Sequence, residues 1–296
     1  MSATASVPLA DRRSERGELA QAFMAVRARL GLVLLLLLLA GVAWWSTADR
    51  MAGMDAGPGT ALGALGWFLG VWVVMMAAMM FPSLAPTVAL YTTMTRSRGA
   101  DRPLLFAGGY LVVWGAAGLA AYALFELGRN VFGDALAWHS GGRWFAAGVI
   151  GFAAIYELTP LKNLCLAKCR SPVGFLLGSW RDGRRGAVEM GSRHAVWCLG
   201  CCWALMAALF ALGAMSVAWM AVVSLLIAAE RLLPWRRLAA VGVGTVLAAL
   251  TIGVAAAPTR VPMLTIPGSP AAAAAMGMSP NHSSSMGDKP PMRSTR

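Results

Sequence analysis

Seven apolar runs, most of them close to twenty residues long, divide this chain and leave few folds open to it. They cover residues 30–45, 62–81, 104–126, 143–158, 190–212, 214–232 and 238–256, and the first holds six consecutive leucines, Leu34 to Leu39. About 20 apolar residues is the length a helix needs to cross the hydrocarbon of a bilayer. Only helices and closed barrels can make that crossing, because the backbone finds no water there to bond. The expected fold is all-α: a polytopic transmembrane helical bundle of about seven spans. Composition agrees. The chain is 58% hydrophobic with a mean hydropathy of +0.64, and only 13% of its residues are charged, against about 25% in soluble domains.

Three segments follow from this division: a cytoplasmic N-terminal segment (1–29), the transmembrane domain (30–256) and a Met/Pro/Ser-rich extracytoplasmic tail (257–296) with the composition of disorder. Residues 172–180 are too short to span and are expected to lie in the interface or re-enter. Only Gly213-Ala214 separates the fifth and sixth runs, so a tight hairpin is required there. The sequence Ser46-Thr47-Ala48 resembles a signal-peptidase site. The long charged lead and Trp44-Trp45, suited to an interfacial belt, favour a retained first helix; cleavage would leave the remaining topology unchanged.

Basic residues set the orientation. Most of the 25 Lys and Arg fall in four places: the N-terminal segment, the loop with Arg96, Arg98 and Arg102, the long loop from Lys162 to Arg193, and the last loop with Arg231, Arg236 and Arg237. By the positive-inside rule all four are cytoplasmic, so the N-terminus lies inside and the C-terminus outside a bacterial inner membrane crossed many times. The net charge of +12 would suggest nucleic acid in a soluble protein. Here it sits in loops between apolar runs, and the lipid bilayer is the expected partner, with no nucleic acid.

The remaining signal is sulfur. The second run ends with Met75, Met76, Met79 and Met80, just before Pro82-Ser83. At helical spacing Met75 and Met79 share one face and Met76 and Met80 another. Thioethers one turn apart can hold Cu(I), a soft cation; the plainer reading is that Met fills irregular gaps. Pro82 is expected to break the helix. The fifth run carries Met190, His194, Cys198, Cys201, Cys202 and Met206, with Met190, His194, Cys198 and Cys201 in one arc and Cys202 at its edge. Three thiols and an imidazole at this spacing form a soft-metal constellation, against the alternative of inert buried cysteines and a snorkelling histidine. Cys165 and Cys169 lie one helical turn apart in the long loop, flanked by Lys168 and Arg170, whose charges favour thiolates. The charge rule places all three clusters toward the cytoplasmic half, which points to one composite site.

Weaker candidates surround it. Met215, Trp219 and Met220 of the sixth run could line the same cavity or simply pack. Glu126, Glu157 and Glu230 sit at helix ends, where an acid is functional, solvated or paired. Met51 and Met54-Asp55 in the first outer loop, and Met276, Met278, His282, Met286 and Met292 in the tail, could collect copper weakly. The odd count of five cysteines implies no disulfide framework. No Walker loop, Rossmann fingerprint, zinc-protease motif or Ser-His-Asp set is present, so no enzyme is indicated.

At these motifs the chain resembles a bacterial family of integral membrane proteins of unknown function, predicted to bind metal. The resemblance rests on Met75 through Ser83, on Leu158-Thr-Pro160-Leu-Lys162 through Cys165 and Cys169-Arg170-Ser-Pro172, and on Cys198 through Met206 with Trp219-Met220 and Glu230. It covers roughly residues 60–235. That family often carries Lys after the acid of the sixth span, where Arg231 here keeps the charge. The Met-x-x-x-Met turn also resembles a motif of copper importers, an analogy of chemistry rather than of fold. The resemblance implies metal binding and no particular reaction.

Together these readings lead to the expectation of a membrane metal-binding protein for copper, as Cu(I), ahead of zinc. It would transport copper or deliver it to a cuproenzyme, with a copper chaperone as a possible partner. Met75, Met76, Met79, Met80, His194, Cys198, Cys201, Cys202 and Met206 would form the site, with Cys165 and Cys169 as an inner gate. A membrane thiol-disulfide redox protein using Cys198 and Cys201, and a non-metal accessory subunit of a membrane complex, are the alternatives.

Overall fold

Helices built from the apolar runs make up the whole architecture of the computed structural model, which describes residues 30–54, 57–59, 62–95, 101–133, 138–233 and 235–275; no strand occurs among them. The N-terminal segment, Asp55, Arg96, Arg98 and the tail from Met276 lie outside the described residues. In chain order the helices are α1 (Leu30–Met51), α2 (Leu65–Met94), α3 (Arg102–Phe132), α4 (Arg143–Glu157), α5 (Pro160–Arg170), α6 (Pro172–Gly178), α7 (Gly183–Gly213), α8 (Val217–Leu232), α9 (Arg236–Ala256) and α10 (Pro270–Ala275).

Five of these, α1, α2, α3, α7 and most of α9, are long and apolar enough to cross a membrane, and α4 with α5 would make a sixth if that bent pair is one span. The run at 214–232 forms only the 16-residue α8. At 1.5 Å per residue that is about 24 Å, short of the ~30 Å hydrocarbon. The fifth and sixth runs are joined by the tight connection expected: Gly213 adopts φ 122°, and Ser216 N–H bonds back to the Gly213 carbonyl at 3.1 Å.

Two helices occupy the middle. The apolar stretches of α2 and α7 are 61% and 56% buried, against 28–33% for α1, α3 and α9. Helix α7 packs on α3, α4, α5 and α8, while α2 packs on α1 and α3. Close approach of α3 and α7 depends on glycine. A Cβ at Gly191 would stand 1.9 Å from the Phe106 carbonyl oxygen, and one at Gly109 2.2 Å from that of Val188. Small residues at such crossings are how membrane helices gain packing where lipid removes the hydrophobic drive. Ser192 Oγ adds a bond to the Gly109 carbonyl at 3.1 Å.

Pro82 does not end its helix. Helix α2 continues through Pro82 and Pro86 to Met94, so the methionine cluster lies at mid-helix rather than at a terminus. A proline removes one backbone donor, a loss that a buried helix tolerates. Ser83 Oγ bonds the Met80 carbonyl at 2.8 Å. Thr92 and Thr93 do the same for Val88 and Ala89 at 2.7 and 3.0 Å.

The long loop after α4 is largely helical. Thr159 caps α5 by accepting from Lys162 N–H at 3.3 Å, with Pro160 at the first helical position. Ser171 and Pro172 repeat the device for α6, which covers the segment read as interfacial or re-entrant. The α4–α5 bend of 67° turns α5 into the bundle. Its buried face is Lys162, Cys165, Leu166 and Cys169, the i, i+3, i+4, i+7 spacing of an amphipathic helix. Outside the bundle, Arg184 Nε donates to Asp101 Oδ2 at 2.7 Å, and that bond holds the exposed carboxyl below its ordinary pKa.

Candidate metal centre

Cys198, Cys201 and Cys202 lie within five residues of α7, all 2% exposed or less. The thiols of Cys201 and Cys202 each donate to the Cys198 carbonyl at 3.0 Å. Helix α5, turned inward, brings Cys169 beside the thiols of Cys198 and Cys201. Cys165 packs against the glycine gap at Gly200, where a Cβ would meet its sulfur at 2.8 Å. Cysteines from two separated segments therefore meet, all of them free and buried.

The centre of this cluster is a residue that sequence reasoning had assigned to topology. Arg231, 9% exposed on α8, donates from Nη2 to Cys198 Sγ at 2.7 Å and lies 3.5 Å from Cys201 Sγ. Its Nη1 donates to Ser83 Oγ at 3.0 Å. One guanidinium thus joins α2, α7 and α8. Tyr110 of α3 completes the ring: its hydroxyl and Cys198 Sγ share a hydrogen bond of 2.9 Å. No sequence signal paired Tyr110 with Cys198, 88 residues away. Arg231 could have been suspected from its place beside Glu230 in an apolar run, since a charge at membrane depth is costly unless partnered.

His194 lies one turn before Cys198 on α7 and is 1% exposed. Aromatic rings of Phe106, Tyr110 and Phe175 surround it with centroids 6.1, 6.1 and 4.8 Å away. Neither ring nitrogen has a hydrogen-bond partner among the described residues. A buried polar group left unpaired costs about 1–3 kcal/mol, so this imidazole holds unused donor and acceptor capacity beside the thiols.

A second buried set adjoins the first. Lys162 of α5 donates to both Glu230 oxygens at 2.6 and 2.7 Å and also to Glu157 Oε2. All three residues are at most 2% exposed. Glu157 and Glu230 are therefore interior and share one cation, whereas Glu126 pairs at the surface with Arg129 at 3.2 Å. Arg170 fastens the end of α5 to that of α8 through the carbonyls of Glu230 and Leu233 at 3.0 and 2.6 Å. Lys162 and Arg231, both counted as orienting charges in the sequence, are turned inward.

The methionines do not share one location. Met76 and Met80 are fully buried, and Met190 and Met206 are buried on α7. Met79 lines a cleft of about 410 Å³ with Trp44, Pro82, Ser83, Ser224 and Leu232, which reaches the Arg231 partner Ser83. Met75 faces a different, much smaller cavity together with Met51 and Met215. Among the described residues no group of three or more His, Cys, Asp and Glu side chains stands in metal-ligand geometry. The thiols are engaged with one another, with Arg231 and with the Cys198 carbonyl, and would have to rotate to surround an ion.

Comparison with known proteins gives one match. No curated protein and no solved structure matches the chain. The model of the PpoB2 family, described as a copper chaperone, matches residues 69–254, which include α2 almost entirely, α3 to α8 and nearly all of α9. The protein belongs to this copper chaperone family.

Proposed function

We propose that the protein is a multi-pass inner-membrane carrier that binds Cu(I) at the Cys169–Cys198–Cys201–Cys202 cluster and passes it to a cuproenzyme or across the membrane. The carrying observation is the contact of Cys198 and Cys201 with Arg231, a buried permanent cation 2.7 Å from Cys198 Sγ, with Cys169 and Cys202 beside them. Two thiolates holding Cu(I) carry one net negative charge, which Arg231 balances without water. Thiolate and thioether donors select Cu(I) over harder ions, which puts copper ahead of zinc. His194 and Met206 stand one turn before and one turn after the thiols as accessory ligands, and Cys165 lies at the α5 side as a gate. The basic residues Arg184, Arg185 and Arg193 on the N-terminal part of α7 support a cytoplasmic orientation for this end of the site under the positive-inside rule.

The thiol-disulfide reading is less well supported. A redox dithiol must be reached by its substrate's disulfide, and Cys198 and Cys201 are 0% and 2% exposed. The test is anaerobic Cu(I) loading of the detergent-purified full chain, followed by desalting and metal analysis, beside the Cys198/Cys201/Cys202→Ser variant. Retained copper that the variant loses supports the proposal. Absence of copper from both removes it and brings the redox and accessory-subunit readings forward.

A further inference from the structure

We infer that Met51, Met75 and Met215 form a second Cu(I) site, made of thioethers alone and separate from the thiol cluster. The three residues come from three places in the chain: the last residue of α1, the middle of α2 and the connection between α7 and α8. They line one small cavity together with Phe68, Trp72 and Phe210. Their exposures are 4%, 2% and 6%. The only side-chain nitrogen in this lining, Trp72 Nε1, is committed to the Trp114 carbonyl at 2.8 Å. The three methionines are therefore the lining residues whose side chains carry a soft electron-pair donor.

That donor set has a defined selectivity. Thioethers are neutral and soft, so they suit Cu(I) and are poor ligands for Zn(II), Mg(II) or Ca(II). A neutral site also leaves only the single charge of the ion to be buried, and it needs no proton to leave before the metal binds, unlike a thiol. Packing alone accounts for one methionine in a core. Here three, from three elements, line one void whose described lining holds no carboxylate, amide or hydroxyl side chain.

The position of the site gives it a role. Along α2, Met75 precedes Ser83, the residue that meets Arg231, by eight positions, or roughly 12 Å at 1.5 Å per residue. Met76, Met79 and Met80 occupy the interval. Along α7 the cavity residues Leu209 and Phe210 lie beyond the thiols, toward the end opposite Arg184 and Arg185. The thioether site therefore receives or releases copper at the end of the bundle away from the basic loops, with the α2 methionines between it and the thiols. Neutral thioethers hold Cu(I) less tightly than thiolates, so the thiol cluster fills first.

This inference rests on copper being the cargo, and its test separates the two sites. The full chain in lipid nanodiscs is titrated anaerobically with Cu(I) against a chromogenic Cu(I) chelator. The wild type is compared with Cys169/Cys198/Cys201/Cys202→Ser and with Met51/Met75/Met215→Leu, which keeps side-chain volume. The wild type should bind about two ions and each variant about one, the Leu variant losing the weaker site. The single variant Met215→Leu, in the interhelical turn, should weaken that site at least roughly tenfold with unchanged size-exclusion behaviour. Equal stoichiometry in the wild type and the Leu variant overturns the thioether site and leaves the thiol proposal standing. Equal stoichiometry in the wild type and the Ser variant, with loss in the Leu variant, overturns the thiol proposal and retains the thioether site.

Discussion

Arg231 carries a charge that lipid would not hold and that one neutral thiol would not balance. Its fork geometry lets it reach Ser83 and Cys198 at once, which the point charge of a lysine cannot fully reproduce. Arg231→Lys should keep copper with reduced affinity, and Arg231→Met should lose charge balance and weaken binding by about 1.5–3 kcal/mol, the range for hydrogen bonds to charged groups. Chelator competition measures both. Lys162 poses a different case, because it lies between two buried carboxylates. Removing one partner of a buried ion set costs about 3–5 kcal/mol through the uncompensated charge left behind. Lys162→Met should therefore lower thermal stability in detergent sharply, and adding Glu230→Gln should restore part of it. Neither partner was visible locally: in sequence both residues read as loop charges, and although the apolar run around Arg231 hints that it is paired, nothing in a short window names a distant carboxylate or thiol.

At the scale of elements, the position of Cys198 depends on how closely α3 approaches α7. Gly191 allows that approach, and Tyr110 follows from it. Gly191→Ala should push the helices apart, reduce folded yield and weaken copper binding, although Gly191 touches no candidate ligand. Gly108→Ala has open space around the new methyl and should be neutral or stabilising by up to about 1 kcal/mol. Parallel thermal melts and copper titrations of the two variants check this. Helix α5 shows what amphipathic spacing can and cannot say. The one-turn interval of Cys165 and Cys169 was readable, and both are buried on α5, whereas Met75 and Met79, one turn apart on α2, line different cavities. The inward turn of α5 was not readable, because it depends on a 67° bend after α4 and on the Lys162–Glu230 attachment across 68 residues. Pro82 misled for a related reason: proline is a strong local signal for a helix end in water, but in a buried helix the backbone has no better partner than its own turn.

For the whole molecule, hydropathy specified an all-helical fold with helices long and apolar enough to cross a membrane without any knowledge of contacts, because transfer into hydrocarbon is a property of each segment alone. The number of crossings depended on more. Helices α4, α5 and α8 are shorter than the hydrocarbon is thick, and tertiary packing decides whether they cross or tuck in. Reporter fusions after Met94 and after Phe132 should fall on opposite sides of the membrane, the first inside; the reverse pattern would overturn the positive-inside orientation. The sequence by itself determined the fold class, the residues rich in soft donors and the kind of ion they prefer, since these follow from side-chain chemistry and local periodicity. Only the tertiary structure decided which donors meet. It set Cys198 and Cys201 against Arg231 with Cys169 nearby, left His194 buried without a hydrogen-bond partner among the described residues, and sent Met75 to a separate cavity with Met51 and Met215. Those meetings join residues far apart in the chain, as Arg231 meets Ser83 across 148 positions. They are set by which helix faces can approach, a property of packed neighbours that no single segment contains.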